Sequence, residues 1–273
     1  MIFIVLVFLG LSFGSFINAL IWRIYKQDNL KTKSQKAKYS ISRGRSMCMH
    51  CKHILEPRDL IPVFSWLMLH GRCRYCHKPI PDTPVSELLT PLLFFLSYVY
   101  WPMEFSTEGK VLFGFWLVYL VGFIALALYD LRWYILPNRI VFPLMYAAAL
   151  QILIQFVFFD LGIKGLGTIV LSIVVGGGLF FLLFQISGGK WIGGGDVKLG
   201  FLIGAILASP VLSILYIFIA ALIGTFVSLP LLATGKAKRS TQLPFGPFLL
   251  ASAIIVYLFG TSLVAWYTAM LGI

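Results

Sequence analysis

"VKLGFLIGAILASPVLSILYIFIAALIGTFVSLPLL", residues 197 to 232, runs for 36 positions with a single charge, Lys198. As one α-helix it would be on the order of 50 Å long, against about 30 Å of bilayer hydrocarbon. The pair Ser209-Pro210 is a breaker near its middle, so the stretch reads as two shorter helices. That split decides how often the chain crosses a membrane.

The rest of the chain is equally apolar. Hydrophobic residues make up 59% and charged ones 12%, with a mean hydropathy of +0.91. A soluble domain carries about a quarter charged residues, so this is an integral membrane protein. Further apolar runs lie at roughly 2 to 22, 87 to 103, 111 to 129, 140 to 159, 165 to 186 and 246 to 266, each near the length of about 20 residues that spans a bilayer. With the split, the expected fold is an all-α polytopic membrane protein of about eight transmembrane helices. The first run has no basic n-region and no small-residue cleavage site after it, and reads as a retained anchor.

Charge placement supports this count. Of the 22 Lys and Arg, 13 lie between Arg23 and Lys78. Arg132, Arg139, Lys190, Lys198, Lys236, Lys238 and Arg239 fall on alternate turns, and only Lys110 and Lys164 fall on the other side. The positive-inside rule then puts the first residue outside and the basic loop in the cytoplasm. Were residues 197 to 232 one helix, Lys236, Lys238 and Arg239 would move outside. The net charge of +12 reports topology and calls for no nucleic-acid partner; the bilayer itself is the expected partner.

The loop from Arg23 to Ser86 contains every cysteine and histidine. Its first part, "KQDNLKTKSQKAKYSISRGRS", reads as a flexible basic linker that can rest on anionic lipid heads. "CMHC" (Cys48, Cys51) and "CRYC" (Cys73, Cys76) follow. Two C-x2-C pairs offer four thiolates to one tetrahedral Zn²⁺; two disulfides are the alternative, disfavoured in a reducing cytoplasm. His50, His53 and His77 stand beside them as bystanders or as a replacement ligand. With four thiolates and no open position, the zinc would be a structural staple.

Two connections on the same side carry carboxylates. "YDLRWYILPNR" holds Asp130, and "SGGKWIGGGDVK" holds Asp196 behind Gly193, Gly194 and Gly195. Two neighbouring aspartates share one proton, so one can activate water while the other polarises a carbonyl. Plainer roles compete: Asp196 as an N-cap for the amides of Lys198 and Leu199, and Asp130 as a partner of Arg132 or Arg139. The glycines favour an extended peptide lying against bare backbone with free φ, with small-residue helix packing as the alternative. Gly14, Ser15 and Asn18 in the first helix read as close packing with one buried amide hydrogen bond, ahead of direct substrate contact.

As a set, these residues resemble the intramembrane-type aspartic proteases. "YD" at 129 to 130 and G-x-G-D at 193 to 196 are similar to the signature of that group, which contains the type IV prepilin peptidases and the presenilin-like proteases. "GSFINALIWR" (Gly14 to Arg23), the two C-x2-C pairs, "LIPVFSWLMLHGRCRYC", "PVSELLT", "DLRWYILPN", "GGGDVKLG" and "LPFGPF" (Leu243 to Phe248) resemble the prepilin peptidases in particular. The resemblance implies that Asp130 and Asp196 are catalytic and that the substrate is the leader of a prepilin or pseudopilin, cut at the cytoplasmic face of a bacterial inner membrane. It also implies N-methylation of the new terminus with S-adenosylmethionine, for which no separate domain or Gly-rich nucleoside turn is visible. The expected division is a first helix at 1–22, the zinc loop at 23–86 and a peptidase core at 87–273. A presenilin-like protease and a proton- or cation-coupled transporter using the two aspartates are the alternatives, the latter disfavoured because the carboxylates lie at one surface and not at the midplane.

Overall fold

A computed structural model of the chain describes residues 1–41, 44–235 and 243–272. Among these, the regular elements are helices, and eight apolar helices appear in the expected order. They are α1 (Ile2–Asn29), α4 (Val85–Val99), α5 (Thr107–Trp133), α6 (Asn138–Phe158), α7 (Gly162–Ser187), α8 (Gly194–Leu207), α9 (Pro210–Ala233) and α10 (Gly246–Leu271). Two short helices, α2 (Lys33–Lys38) and α3 (Phe64–Met68), lie in the loop between α1 and α4. Lys236, Lys238 and Arg239, used above to place the loop before α10, lie outside the described residues.

The break at Ser209-Pro210 is present. α8 stops at Leu207, Ala208 closes it in the left-handed region (φ 52), and α9 opens with Ser209 as cap and Pro210 in its first turn. Proline suits that place because the first amides of a helix have no intrahelical acceptor.

Two lengths differ from expectation. Six of the eight helices are long and apolar enough to cross a membrane. α4 has 15 residues and α8 has 14, which is about 22 and 21 Å of helix. α4 ends at Val99, short of the expected 103, because Trp101 precedes Pro102 and a residue before proline avoids the helical conformation. The linker also differs in part: α1 continues to Asn29 and α2 follows it. Ser42 and Arg43 lie outside the described residues.

The chain divides into two compact units, Met1–Val99 and Tyr100–Ile273. In the first, α1 and α4 touch backbone to backbone. A Cβ on Gly10 would strike Pro91, and one on Gly14 would lie 2.5 Å from the Ser86 carbonyl oxygen and 2.6 Å from Glu87 Cα. The expected packing role of Gly14 is therefore present. The expected amide hydrogen bond is not: Asn18 Oδ1 is buried and has no partner.

In the second unit, α7 and α8 are the closest pair. A Cβ on Gly200 would come 2.7 Å from the Gly176 carbonyl oxygen, and one on Gly204 would come 2.6 Å from that of Ser172. The Ser172 hydroxyl donates to the Gly204 carbonyl (2.7 Å), and Tyr216 of α9 donates to that of Gly176 (2.6 Å). Elsewhere the core is aromatic: Trp116 of α5 stacks on Tyr257 of α10 at 3.9 Å, and Tyr119 donates to Gln151 of α6 (2.8 Å).

Gly14→Ala should loosen the α1/α4 pair by about 1–3 kcal/mol, the usual cost of overpacking. Gly114, whose added Cβ would meet nothing within 4 Å, is the matched control. A lower thermal midpoint for Gly14→Ala in detergent, with Gly114→Ala unchanged, is the expected result.

Candidate active site and metal centre

Asp130 lies one turn from the end of α5. Tyr134 closes that helix in the left-handed region (φ 57), and its N–H donates to the Asp130 carbonyl at 2.8 Å. The Asp130 side chain is buried, and the backbone N–H of Gly246 donates to its carboxylate. That contact leaves no room for a side chain, since a Cβ on Gly246 would lie 2.5 Å from Asp130 Oδ2.

Asp196 is not the N-cap of α8. Gly193 holds that position in extended backbone (φ −73, ψ 145), so Asp196 is the third helical residue. Its own N–H donates to the Gly193 carbonyl (3.1 Å), and its carboxylate accepts from the Gly193 N–H. This is the returning half of a capping box, with a glycine where the usual Ser or Thr would stand.

The two carboxylates line one cleft of about 690 Å³, together with Tyr134, Leu136, Trp191 and Phe245. All three segments that build the cleft belong to one end of the unit: the α5–α6 turn, the start of α8 and the residues before α10. Leu136 is its spacer. A Cβ on Gly195 would meet Leu136 Cβ at 3.0 Å, and one on Gly246 would meet Leu136 Cδ2 at 3.4 Å.

Gly193, Gly194 and Gly195 all line this cleft. None has a positive φ, so free backbone rotation is not what they supply; Gly188 (φ 57) and Gly189 (φ 76) make the left-handed turn just before them. Their contribution is bare surface, with Gly195 also packed on Leu136. Residues missed from sequence include Gly246, which holds Asp130 from outside the cleft lining, and, in the cleft itself, Leu136 and Lys198, whose ammonium donates to Asn138 Oδ1 at 2.9 Å. The first two lay inside quoted motifs, "LPFGPF" and "ILPN", but apolar residues and glycines announce no chemistry by type.

In the first unit the four cysteines converge. The Sγ atoms of Cys48, Cys51, Cys73 and Cys76 lie within 4.8 Å of one another, with Cys48 and Cys76 3.8 Å apart, and all four thiols are free. A tetrahedron with Zn–S bonds of about 2.3 Å has edges of about 3.8 Å, so the group suits a tetrahedral metal. His50, His53 and His77 stand outside it, and His53 packs on the Tyr75 ring at 3.7 Å.

Each pair sits on the same knuckle. Cys48 N–H donates to the His53 carbonyl and Cys73 N–H to that of Lys78, both at 2.9 Å. Four residues after each leading cysteine the backbone turns left-handed, at Lys52 (φ 59) and His77 (φ 56). Without metal, burial pushes the Cys48 thiol up to about 11. Hydrogen bonding from the Lys78 backbone leads the causes that bring Cys76 down to about 7.

Asp59 ties the loop together. Burial alone would raise its pKa, but hydrogen bonds from Arg74 (2.7 Å), the Glu56 backbone (3.2 Å) and Tyr75 (3.2 Å) hold it below the usual carboxylate range. This tie is present at neutral pH and is lost as acid protonates the carboxylate.

Eight apolar helices, a four-cysteine loop and two aspartates in one cleft define a helical membrane protein with a carboxylate-lined cleft. The chain belongs to the type IV leader peptidase family. Residues 8–101 match the bacterial peptidase A24 N-terminal domain and residues 117–229 match the type IV leader peptidase family model. Among its relatives, the prepilin leader peptidase/N-methyltransferase of Aeromonas hydrophila is 30% identical over 96% of this chain and 92% of that protein. The proteins of the same name from Bacillus subtilis (30% identical; 85% and 88% covered) and Pseudomonas aeruginosa (29%; 97% and 93%) are similar. No solved structure matches the chain.

Proposed function

We propose that this chain is a membrane aspartic endopeptidase that removes the leader of type IV prepilins or pseudopilins, with Asp130 and Asp196 as its catalytic pair. The observation that carries this reading is that both carboxylates line one cleft at the ends of their helices, each steadied by a backbone N–H. A substrate anchored by its own helix in the same bilayer presents its leader at that surface. The leader lies over Gly193, Gly194 and Gly195, where the missing side chains let an extended backbone come close.

The pair holds one proton. The ionised carboxylate takes a proton from a water, whose oxygen bonds to the scissile carbonyl carbon, while the protonated one donates to the carbonyl oxygen. The tetrahedral intermediate then collapses: one of its hydroxyls returns a proton to the carboxylate that donated, the C–N bond breaks, and the nitrogen leaves as an amine with the proton that the other carboxylate took from water. Gly246 keeps Asp130 on its backbone donor, and Leu136 keeps the two helix ends apart.

The positive-inside count puts this cleft, and the cysteine loop, on the cytoplasmic side of a bacterial inner membrane. Cys48, Cys51, Cys73 and Cys76 would hold one structural Zn²⁺, which would staple the proposed 23–86 segment between the first helix (1–22) and the peptidase core (87–273). N-methylation of the new terminus is the second half of the reading and rests on the names of the relatives. S-adenosylmethionine, when bound, would supply an activated methyl group to the new amino terminus.

Asp130→Asn and Asp196→Asn should fold and retain zinc yet lose about 10² to 10⁴ in cleavage rate, measured by mass on a co-expressed prepilin. Gly246→Ala should fall in the same direction, because a 1 Å misplacement at a reacting group can cost about 10²-fold. Near-normal turnover in either Asn variant returns Asp196 to a capping role. Metal analysis should find about one zinc per chain, lost in Cys73→Ser; zinc-free protein with reduced thiols ends the metal assignment. Single cysteines beside Lys190 should be labelled from the cytoplasm and those beside Lys164 from outside; the reverse pattern overturns the sidedness.

A further inference from the structure

The outer side of α9 changes character in its second half. Elsewhere it presents large side chains to the outside, among them Ile214, Phe218 and Phe226. Ala221, Gly224, Thr225 and Ser228 instead follow one another on a single helical face, and with Leu229 they line a groove of about 400 Å³. The rings of Phe245 and Phe248, 6.3 Å apart at the start of α10, form its other wall.

Packing inside the protein does not require these small residues. A Cβ on Gly200 or Gly204 would strike the backbone of α7, whereas one on Gly224 would meet the Phe248 ring at 3.4 Å and the Phe245 ring at 3.8 Å, ordinary contact distances. The two hydroxyls are settled within α9: Thr225 donates to the Ala221 carbonyl at 2.8 Å and Ser228 to that of Gly224 at 2.5 Å. The groove therefore accepts an apolar visitor without stranding a polar group. What its small residues supply is close approach, which is how one helix holds another in lipid.

The position of the groove says which helix. Leu243 and Phe245 line both the groove and the aspartate cleft, so the two form one continuous surface. The next residue, Gly246, is the one whose N–H holds Asp130. A chain cut just ahead of its own membrane helix must have the start of that helix beside the cleft while its leader lies across it. From Ala221 to Ser228 the groove follows about 10 Å of α9, two turns of a helix laid alongside. A second copy of this chain would gain nothing from continuity with the carboxylates.

We propose that this groove between α9 and the start of α10 seats the membrane helix of the substrate, a single apolar helix joined directly to the leader, and so holds the scissile bond at the aspartates. The inference deepens the peptidase reading and rests on it. Holding the helix and cutting the chain are then separate tasks within one unit: α9 and the start of α10 perform the first, and α5 and α8 carry the carboxylates for the second.

The test uses the full-length protein carrying Asp196→Asn, co-expressed with a prepilin, with a photoreactive phenylalanine derivative in place of Thr225 or, as control, of Tyr146 in α6. Both positions are exposed and lie about two turns from the cleft end of their helices. Light should join the prepilin helix to the protein from position 225 and not from position 146. Should Asp196→Asn still cleave, the adduct forms with the mature pilin and reads the groove equally. In the otherwise unaltered protein, Gly224→Leu and Ser228→Leu fill the groove outside the cleft. Each should raise KM for helix-bearing prepilin about tenfold at unchanged kcat and thermal midpoint, the mark of lost ground-state binding. No adduct from position 225, an equal one from position 146, an adduct joining two copies of this chain, or wild-type KM in both leucine variants overturns the groove; if the unaltered protein still cleaves, the peptidase reading stands without it. An unaltered chain that cleaves no prepilin removes both.

Discussion

The contact on which the second unit depends is the glycine seam between α7 and α8. Inside lipid, apolar side chains gain little by turning from acyl chains to one another, so helices are held by close contact and by hydrogen bonds. Gly176, Gly200 and Gly204 remove the side chains that would keep these backbones apart, and the Ser172 hydroxyl of α7 then reaches the Gly204 carbonyl of α8 across the gap. That bond also fixes how far α8 can slide. Asp196 lies one turn from Gly200, and a slip of one residue would move its carboxylate by about 1.5 Å, more than an active carboxylate pair tolerates. The seam is therefore part of the site even though none of its residues touches the cleft.

What could be read from the sequence followed from what each residue announces by type. Eight apolar runs, the break at Ser209-Pro210, the four-cysteine group and the shared location of Asp130 and Asp196 were all legible, because length, proline, spacing and charge are local properties. The capping geometry was not. A glycine run followed by aspartate reads as a cap at the aspartate, whereas the helix begins three residues earlier and leaves Asp196 to fold back on Gly193. Gly246 and Leu136 were beyond reach for another reason: their effect depends on two residues distant in sequence arriving at the same point. The length of α4 was overstated because hydropathy continues through Trp101 after the backbone can no longer remain helical.

The cysteine loop shows how a segment with little core of its own is kept in shape. Among its described residues it has short helical pieces and two isolated antiparallel bridges, one in each knuckle, Met47 with Ile54 and Arg72 with Pro79. Its order comes from ties at separate points: four sulfurs drawn together, Asp59 joined to Arg74 and Tyr75, and Glu87 of α4 accepting from the Val63 backbone at 2.6 Å. Arg23 of α1 adds another by donating to the carbonyls of Ser40 and Ile41. The basic loop is thus fastened to both helices that flank it, and its charge is distributed around a fixed frame.

The shortness of α8 has a consequence for the solvent. With 14 residues, about 21 Å, it falls some 9 Å short of an average hydrocarbon slab of about 30 Å. Such mismatch is met by thinning the bilayer or by drawing polar surroundings inward, at fractions of a kcal/mol per Å. α8, however, is enclosed by its neighbours along most of its length, so the shortfall is taken up inside the protein, and its first turn lines the cleft of about 690 Å³. A recess walled by protein is where water is tolerated at membrane depth. Hydrolysis needs water as a reactant, and a helix shorter than its neighbours leaves room for it.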